Sequence, residues 1–407
     1  MVPDSVDGRV ASASERIGTT ASIDGVAAGT VVAPTSTDEV AAVLREAAAE
    51  QQTVVVQGAG TKLTWGLPPR SADVLLDLSG LDQVVEHAAG DLIATAQAGT
   101  PLTVLQAHVG GAGQRLLLDE TVPGTTVGGA LATNASGPRR LVAGTVRDLL
   151  IGVTFVRADG VVARAGGKVV KNVAGYDVGK LLVGSFGTLA VVTEATFRLH
   201  PVPPATRWLT AHVASPADAQ RLVQSILGAQ VVPAAIGVAF SPAGASLSLL
   251  LEGRADGVDA RVEAARELLP GSAVSDTGPD GWGTYPWDLS ATGDDRAVAL
   301  KLTFRLSGLA DVLAATDGFR VTGSAGAGVL YAAVPGEDPA WVAATVARLR
   351  AVCAGHGGSV VVVDAPAAVK QAVDVWGPVP GLDLMRRVKD EFDPDHRLAP
   401  GRFVGGI

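Results

Sequence analysis

Thr121-Val122-Pro123-Gly124-Thr125-Thr126-Val127-Gly128-Gly129 opens a stretch that runs on to Glu194 and decides the fold. Ala132-Thr133-Asn134-Ala135-Ser136-Gly137-Pro138-Arg139-Arg140 follows, then Lys171-Asn172-Val173-Ala174-Gly175-Tyr176-Asp177 and Gly184-Ser185-Phe186-Gly187-Thr188-Leu189. Runs of Gly, Thr, Ser and Asn let a backbone turn tightly and aim its N–H groups at one anionic ligand. Glycine permits positive φ and close approach, and successive N–H groups form anion-binding nests. A shorter run, Gln57-Gly58-Ala59-Gly60-Thr61-Lys62, follows directly on the β-branched residues 53–56. Two separate glycine-rich loops point to a ligand long enough to need both, such as a dinucleotide.

Two familiar phosphate motifs fail at the first loop. Gly58-Ala59-Gly60-Thr61-Lys62-Leu63 lacks the third glycine of the dinucleotide fingerprint, and Thr64-Trp65-Gly66-Leu67-Pro68-Pro69 cannot open a helix. Neither Gly-Lys pair of the chain is followed by Ser or Thr, so there is no P-loop. On glycines alone, residues 58–62 read equally as an ordinary tight turn.

The chain as a whole narrows the classes. Its 407 residues are long for one core, so two domains are expected. A net charge of -9 argues against a nucleic-acid partner, which requires a basic face. A single cysteine, Cys353, excludes a disulfide framework and a self-contained iron–sulfur cluster. No basic region followed by an apolar core opens the sequence, and no apolar run reaches the ~18 residues of a membrane span. A cytoplasmic location is expected, peripheral to the inner face of the membrane through partners.

Outward from the central stretch, the elements follow from periodicity. Ser36 or Thr37 caps a helix with Asp38 and Glu39 in its first turn and Val40, Val43, Leu44 and Ala47 on one face. Residues 74–78 and 92–96 read as strands, and a helix runs from Pro101 to His108. Asp159-Gly160 turns a hairpin between residues 151–157 and 161–165. A short helix is expected over 176–183 and a long strand over 188–199. His200-Pro201-Val202-Pro203-Pro204 is a rigid break. Beyond it strands at 245–251, 297–306, 328–334 and 359–363 alternate with helices at 258–269 and 339–353 and one opened by Ser215-Pro216. The strand at 297–306 would carry Lys301, Thr303 and Arg305 on one side. Trp282, Tyr285 and Trp287 stand in a Gly/Pro-rich loop, placed either to cover a cleft or to pack down onto the domain.

The run from Ser136-Gly137-Pro138-Arg139-Arg140 through Gly166-Gly167-Lys168-Val169-Val170-Lys171-Asn172-Val173-Ala174-Gly175-Tyr176-Asp177 to Gly187-Thr188-Leu189-Ala190-Val191 resembles the flavoproteins related to vanillyl-alcohol oxidase. Their FAD domain is called PCMH-type. Within them the chain is most similar to the FAD-binding E subunits of glycolate oxidases. The resemblance implies an α+β fold in three parts: a PCMH-type FAD domain of two α+β subdomains over 1–204, a ferredoxin-like antiparallel-sheet substrate (cap) domain over 205–380, and a segment over 381–407 returning to the FAD domain. It implies FAD held by Gln57, Gly58, Ala59, Gly60, Thr61 and Lys62 in the first loop. In the second it implies Pro123, Gly124, Thr125, Thr126, Gly128, Gly129, Thr133, Asn134, Ser136 and Gly137, with Val191 further on. Covalent attachment in this family uses His or Cys near the flavin ring; here Thr61 stands in the loop, so non-covalent binding is expected.

Asn172 and Tyr176 are carried over as active-site neighbours. Lys301 and Arg305 are candidates for holding a carboxylate, since Arg grips one bidentately, although a solvated strand face is the bland alternative. Hydroxy-acid-oxidising relatives carry a close histidine pair with an acidic partner, often on a metal. Here His212 and His356 are isolated, so no metal site is expected. The implied function is the FAD-binding subunit of a glycolate oxidase- or dehydrogenase-like complex, oxidising a small 2-hydroxy acid beside a catalytic flavoprotein subunit and an iron–sulfur subunit. The alternatives are a self-sufficient FAD-dependent dehydrogenase of a hydroxy acid or alcohol, and a non-catalytic flavoprotein scaffold.

Overall fold

A computed structural model describes residues 21–168 and 176–407. The first layer is a small parallel sheet. Strands β1 (Thr30–Val32), β2 (Val54–Gln57) and β3 (Val74–Asp77) lie in the order β1-β3-β2. Helix α1 (Thr37–Ala49) crosses between β1 and β2. Ser36 Oγ accepts from the Glu39 amide at its N-terminus, and Val40, Ala41, Leu44 and Ala47 are buried at helical spacing. That face packs on Val54, Val74 and Leu76 of the sheet.

The second layer is an antiparallel sheet of β4 (Val84–Ala88), β5 (Ile93–Gln97), β6 (Leu150–Val156), β7 (Val162–Gly166) and β8 (Val191–Arg198), ordered β7-β6-β8-β5-β4. Helix α2 (Leu102–Gly110) and the short helix α3 (Val127–Thr133) cover it, with Leu105, Leu131 and Phe197 fully buried between. Asp159-Gly160 does turn the β6–β7 hairpin, with Gly160 at φ 77°.

The rest is one wide antiparallel sheet, and its topology is doubled. Strand β9 (Ala205–His212), helix α4 (Pro216–Gly228), β10 (Ala235–Ser241), β11 (Gly244–Gly253), helix α5 (Ala255–Leu268) and β12 (Ala273–Ser275) make one ferredoxin-like unit. Strand β13 (Val298–Thr303), helix α6 (Leu309–Ala315), β14 (Arg320–Ser324), β15 (Val329–Val334), helix α7 (Pro339–Gly355) and β16 (Val360–Asp364) repeat it. The order β12-β9-β11-β10-β14-β15-β13-β16 shows the units joined edge to edge through β10 and β14. Each unit thereby covers the other's exposed edge. One face buries Leu249, Leu300 and Leu302 against Leu222 of α4 and Val346 of α7. The other face carries Ala299, Tyr331 and Ala333, which pack with Trp65, Val122 and Ala135 of the first part.

Two ion clusters fasten these parts. Asp24, Arg296, Asp364 and Lys370 form a buried square, with Arg296 Nη2–Asp24 Oδ1 at 2.8 Å and Lys370 Nζ–Asp24 Oδ2 at 2.6 Å. Helix α8 (Leu382–Phe392) places Lys389 in the interior, where Nζ donates to Asp393 Oδ2 (2.6 Å), Thr188 O (2.7 Å) and Leu398 O (3.0 Å). The tail then pairs with β2: Val54 N donates to Arg397 O and Ala399 N to Val54 O.

Several local expectations are corrected. Gly128 and Gly129 lie in a helix rather than a loop, because Thr126 caps α3 by accepting from the Gly129 amide. The strand expected over 297–306 ends at Thr303, so Arg305 lies outside the row that holds Lys301. The helix expected over 176–183 is confined to Gly179–Leu182. The proline break is not free-standing: His200–Pro201 pairs antiparallel with Gln114–Arg115.

Candidate functional site

The first glycine loop leaves β2 and turns over the end of the parallel sheet. Gly60 has φ 74°, a conformation that costs other residues energy. A Cβ on Gly58 would lie 2.4 Å from Thr126 Oγ1, so glycine is what lets this loop touch the cap of α3. The amides of Ala59, Gly60 and Thr61 donate to no other protein atom among the described residues. Three successive free N–H groups make a nest for an anion.

Lys62 closes the nest. Its side chain is 7% exposed, and Nζ donates to Thr125 Oγ1 (2.7 Å) and Thr61 Oγ1 (3.0 Å). It forms no salt bridge with a described residue. Burial lowers its pKa to about 8, opposed by the charge of Glu120. A buried cation with only hydroxyl partners favours an incoming anion. Behind the loop Arg402 donates to Leu63 O (2.6 Å) and Trp65 O (2.9 Å), and burial lowers its pKa to about 10.

A groove runs from this nest across α3. Gln57, Gly58, Ala59, Gly60, Thr61, Lys62, Thr126, Gly129 and Thr133 line its polar end. Gly128 and Val191 line the other end, beside Leu78, Ala98 and Leu182. The two α3 glycines do different things. A Cβ on Gly128 would stand 2.9 Å from Ala98 Cβ, whereas one on Gly129 would look toward Thr126 Oγ1 (3.2 Å) and Lys62 Nζ (3.9 Å) in the groove. Gly124 is at φ 76°, and Thr125 Oγ1 donates to Val122 O, so Pro123, Gly124 and Thr125 form the turn beneath Lys62. Asn134 ends α3 at φ 50° with a buried Oδ1 that has no hydrogen-bond partner.

Ser136 and Gly137 belong to a second cavity. This cleft lies between the 136–140 turn, the open face of the wide sheet and the 279–285 loop. Ser136 Oγ accepts from the Val146 amide, and a Cβ on Gly137 would lie 2.6 Å from Asp119 Cβ. Both therefore shape the turn. Arg139 is tied to Asp119 (Nη1–Oδ1 2.6 Å) and to Glu252 (3.4 Å), which Arg115 also grips at 2.6 Å. Tyr285 and Tyr331 form one wall with ring centroids 4.6 Å apart, and Trp287 stacks on Tyr285 at 4.5 Å. Burial and the neighbouring Tyr331 push the Tyr285 phenol well above its ordinary pKa. Thr121 donates to its oxygen at 3.1 Å. Tyr285 is a proton donor at neutral pH and a poor base.

The remaining candidates fall elsewhere. Lys301 and Arg305 do not line the cleft; Lys301 stands opposite Tyr331 one strand over, and Arg305 lies against Gly357 at the far end. Tyr176 is 95% exposed and lines neither cavity. Asn172 lies outside the described residues. No group of three His, Cys, Asp or Glu among the described residues can hold a metal. No helix among them is long and apolar enough to cross a membrane. Arg140, on the cleft wall, carries no periodic or spacing signal that separates it from Arg139 beside it.

The groove fits a long anionic cofactor: a nest of free amides, a buried lysine, then an apolar floor. A family model described as FAD binding domain matches residues 28–166, which contain residues 57–62 and 121–140 of the glycine-rich segments. Glycolate oxidase subunit GlcD of Bacillus subtilis (strain 168) is 35% identical over 207 residues, 51% of this chain and 44% of that one. Glycolate oxidase subunit GlcE of Escherichia coli (strain K12) is 34% identical over 235 residues, 57% of this chain and 64% of that one. The chain thus spans less than two thirds of either relative. Its fold matches the crystal structure of p-cresol methylhydroxylase with TM-score 0.72 over 94% of this chain and 91% of that one, at 15% identity. Residues 28–166 form an FAD-binding domain, and the cofactor is FAD.

Proposed function

We propose that this chain is an FAD-dependent oxidoreductase acting on a small 2-hydroxy acid, as the FAD-binding subunit of a glycolate oxidase-like complex. The observation that carries the reading is the pairing of two cavities: a dinucleotide-sized groove with a cationic nest, beside a cleft lined by donors and aromatic rings. Lys62 and the amides of Ala59, Gly60 and Thr61 would hold the pyrophosphate; Gly129 would let it lie against α3. FAD, when bound, supplies the two-electron oxidation. The chain's own part is to orient the substrate and exclude water behind Tyr285, Trp287 and Tyr331.

Taking up the substrate's hydroxyl proton requires a base within hydrogen-bond reach. Among the described residues the cleft lining has no histidine, and its one carboxylate, Asp280, is exposed. That shortage favours work beside partners: a catalytic flavoprotein subunit and an iron–sulfur subunit. The names of the two glycolate oxidase subunits support this assembly. A second reading, a self-sufficient dehydrogenase, is favoured by the cleft being lined by this chain's own residues.

Anaerobic mixing of the purified, FAD-loaded chain with glycolate or D-lactate separates the two. Flavin absorbance that persists until a partner flavoprotein is added supports the complex. Rapid, full bleaching by the isolated chain overturns it and establishes the second reading.

A further inference from the structure

Two buried donors in the substrate cleft have no partner. Arg140 Nη1 and Trp282 Nε1 are both enclosed, both belong to residues lining the cleft, and neither meets an acceptor among the described residues. Several polar groups near them are committed. Arg139 is held by Asp119 and Glu252, Thr322 donates to Thr284 O, and Ser324 donates to Pro138 O. Trp282 is also fixed in place. Its ring lies so close to β10 that a Cβ on Gly237 would approach it to 2.7 Å, and Trp208 packs edge-on at 4.5 Å.

Unpaired buried donors are costly, so such a cleft selects an acceptor. The guanidinium charge selects an anionic one, and its planar fork matches a carboxylate better than a point charge does. Tyr285, kept protonated, adds a donor to the same wall. Among the described residues the only carboxylate in the lining is Asp280, which is exposed.

We propose that Arg140 holds the carboxylate of the hydroxy acid, with Trp282 Nε1 as a second donor in the cleft. The assignment rests on the hydroxy-acid reading above. It moves the anion-holding role from the wide sheet's Lys301 and Arg305 to the turn that follows the second glycine segment. Because that turn belongs to the same segment as α3, substrate and cofactor would be registered by one piece of backbone.

The test is titration of the FAD-loaded chain with oxalate, an unreactive dicarboxylate, followed by flavin absorbance and by calorimetry, with neutral glycolamide as control. The wild type is expected to bind oxalate saturably and glycolamide far more weakly. Arg140→Gln is expected to weaken oxalate by about 10- to 100-fold, the worth of a charge-assisted hydrogen bond, at unchanged FAD content. Arg140→Lys should recover part of the loss, and Trp282→Phe should lose roughly 3- to 10-fold. A normal oxalate affinity in Arg140→Gln overturns the assignment while leaving the hydroxy-acid reading intact. Loss of FAD from Arg140→Gln also overturns it, placing the residue in the cofactor site. A wild type that binds neither oxalate, glycolate nor D-lactate overturns the hydroxy-acid reading itself.

Discussion

Replacing each α3 glycine by valine should separate fold from cofactor binding. Gly129 looks into the groove, where a Cβ would stand 3.2 Å from Thr126 Oγ1 and 3.9 Å from Lys62 Nζ. Valine methyls there would occupy the space in front of the lysine and the free amides. Losing one charge-assisted contact costs about 1.5–3 kcal/mol, which is roughly 10- to 150-fold in affinity. The apo-protein should be no less stable, since valine exceeds glycine in helix propensity by a few tenths of a kcal/mol or more. Gly128 faces the other way. Its amide donates to Ala98 O at 2.7 Å, and a Cβ would lie 2.9 Å from Ala98 Cβ. Valine there should destabilise the apo-protein by about 1–3 kcal/mol through overpacking. The assay is thermal unfolding of apo-protein beside FAD titration by fluorescence quenching. Normal FAD affinity in Gly129→Val would show that the groove is not the cofactor site.

Three further outcomes follow from named residues. Lys62 has a pKa lowered to about 8, so its charge is lost as pH rises through that value. Anion binding raises that pKa, so FAD affinity should fall above about pH 8 in the wild type and stay flat in Lys62→Met; a pH-independent wild type would contradict the nest. The sign for the apo-protein is opposite: with the folded pKa below that of the unfolded chain, unfolding takes up protons between about pH 8 and 10.5, and stability rises across that window. Lys389→Met leaves Asp393 buried without its cation and should cost about 3–5 kcal/mol in urea unfolding, with release of the tail from β2; a change under about 1 kcal/mol would refute the role of that cluster. Acid precipitation should leave the yellow chromophore in the supernatant, because Thr61 offers no attachment chemistry and the Cys353 thiol is buried under the wide sheet's helices; chromophore on the pellet would refute it.

Much of this architecture is legible in periodicity and turn chemistry. Ser36 and Ser215 announce their helices because a short side-chain oxygen before an acidic first turn has one local solution. The Asp159-Gly160 hairpin is equally local. What stays hidden depends on partners far along the chain. Strand β10 is apolar on both faces and contains Gly237, whose bare backbone admits the Trp282 ring, so no alternation marks it. Gly128 and Gly129 suggest a loop by composition, yet the Thr126 cap and the Ala98 contact make a helix of them. Arg139 and Arg140 are adjacent and chemically identical in sequence. Asp119 and Glu252 occupy one and leave the other without an ion pair among the described residues, a distinction made only by the folded turn. Lys301 is a candidate by its place on an alternating strand, but alternation gives the face and not the distance to the cleft.

Calorimetric titration of the apo-protein with FAD, FMN and ADP at pH 7 tests the cofactor groove most directly. One FAD per chain is expected, with FMN and ADP each at least about 100-fold weaker, because neither fills both ends of the groove. Equal affinity for FMN and FAD, or no heat with any of the three, would contradict the assignment of the glycine-rich groove.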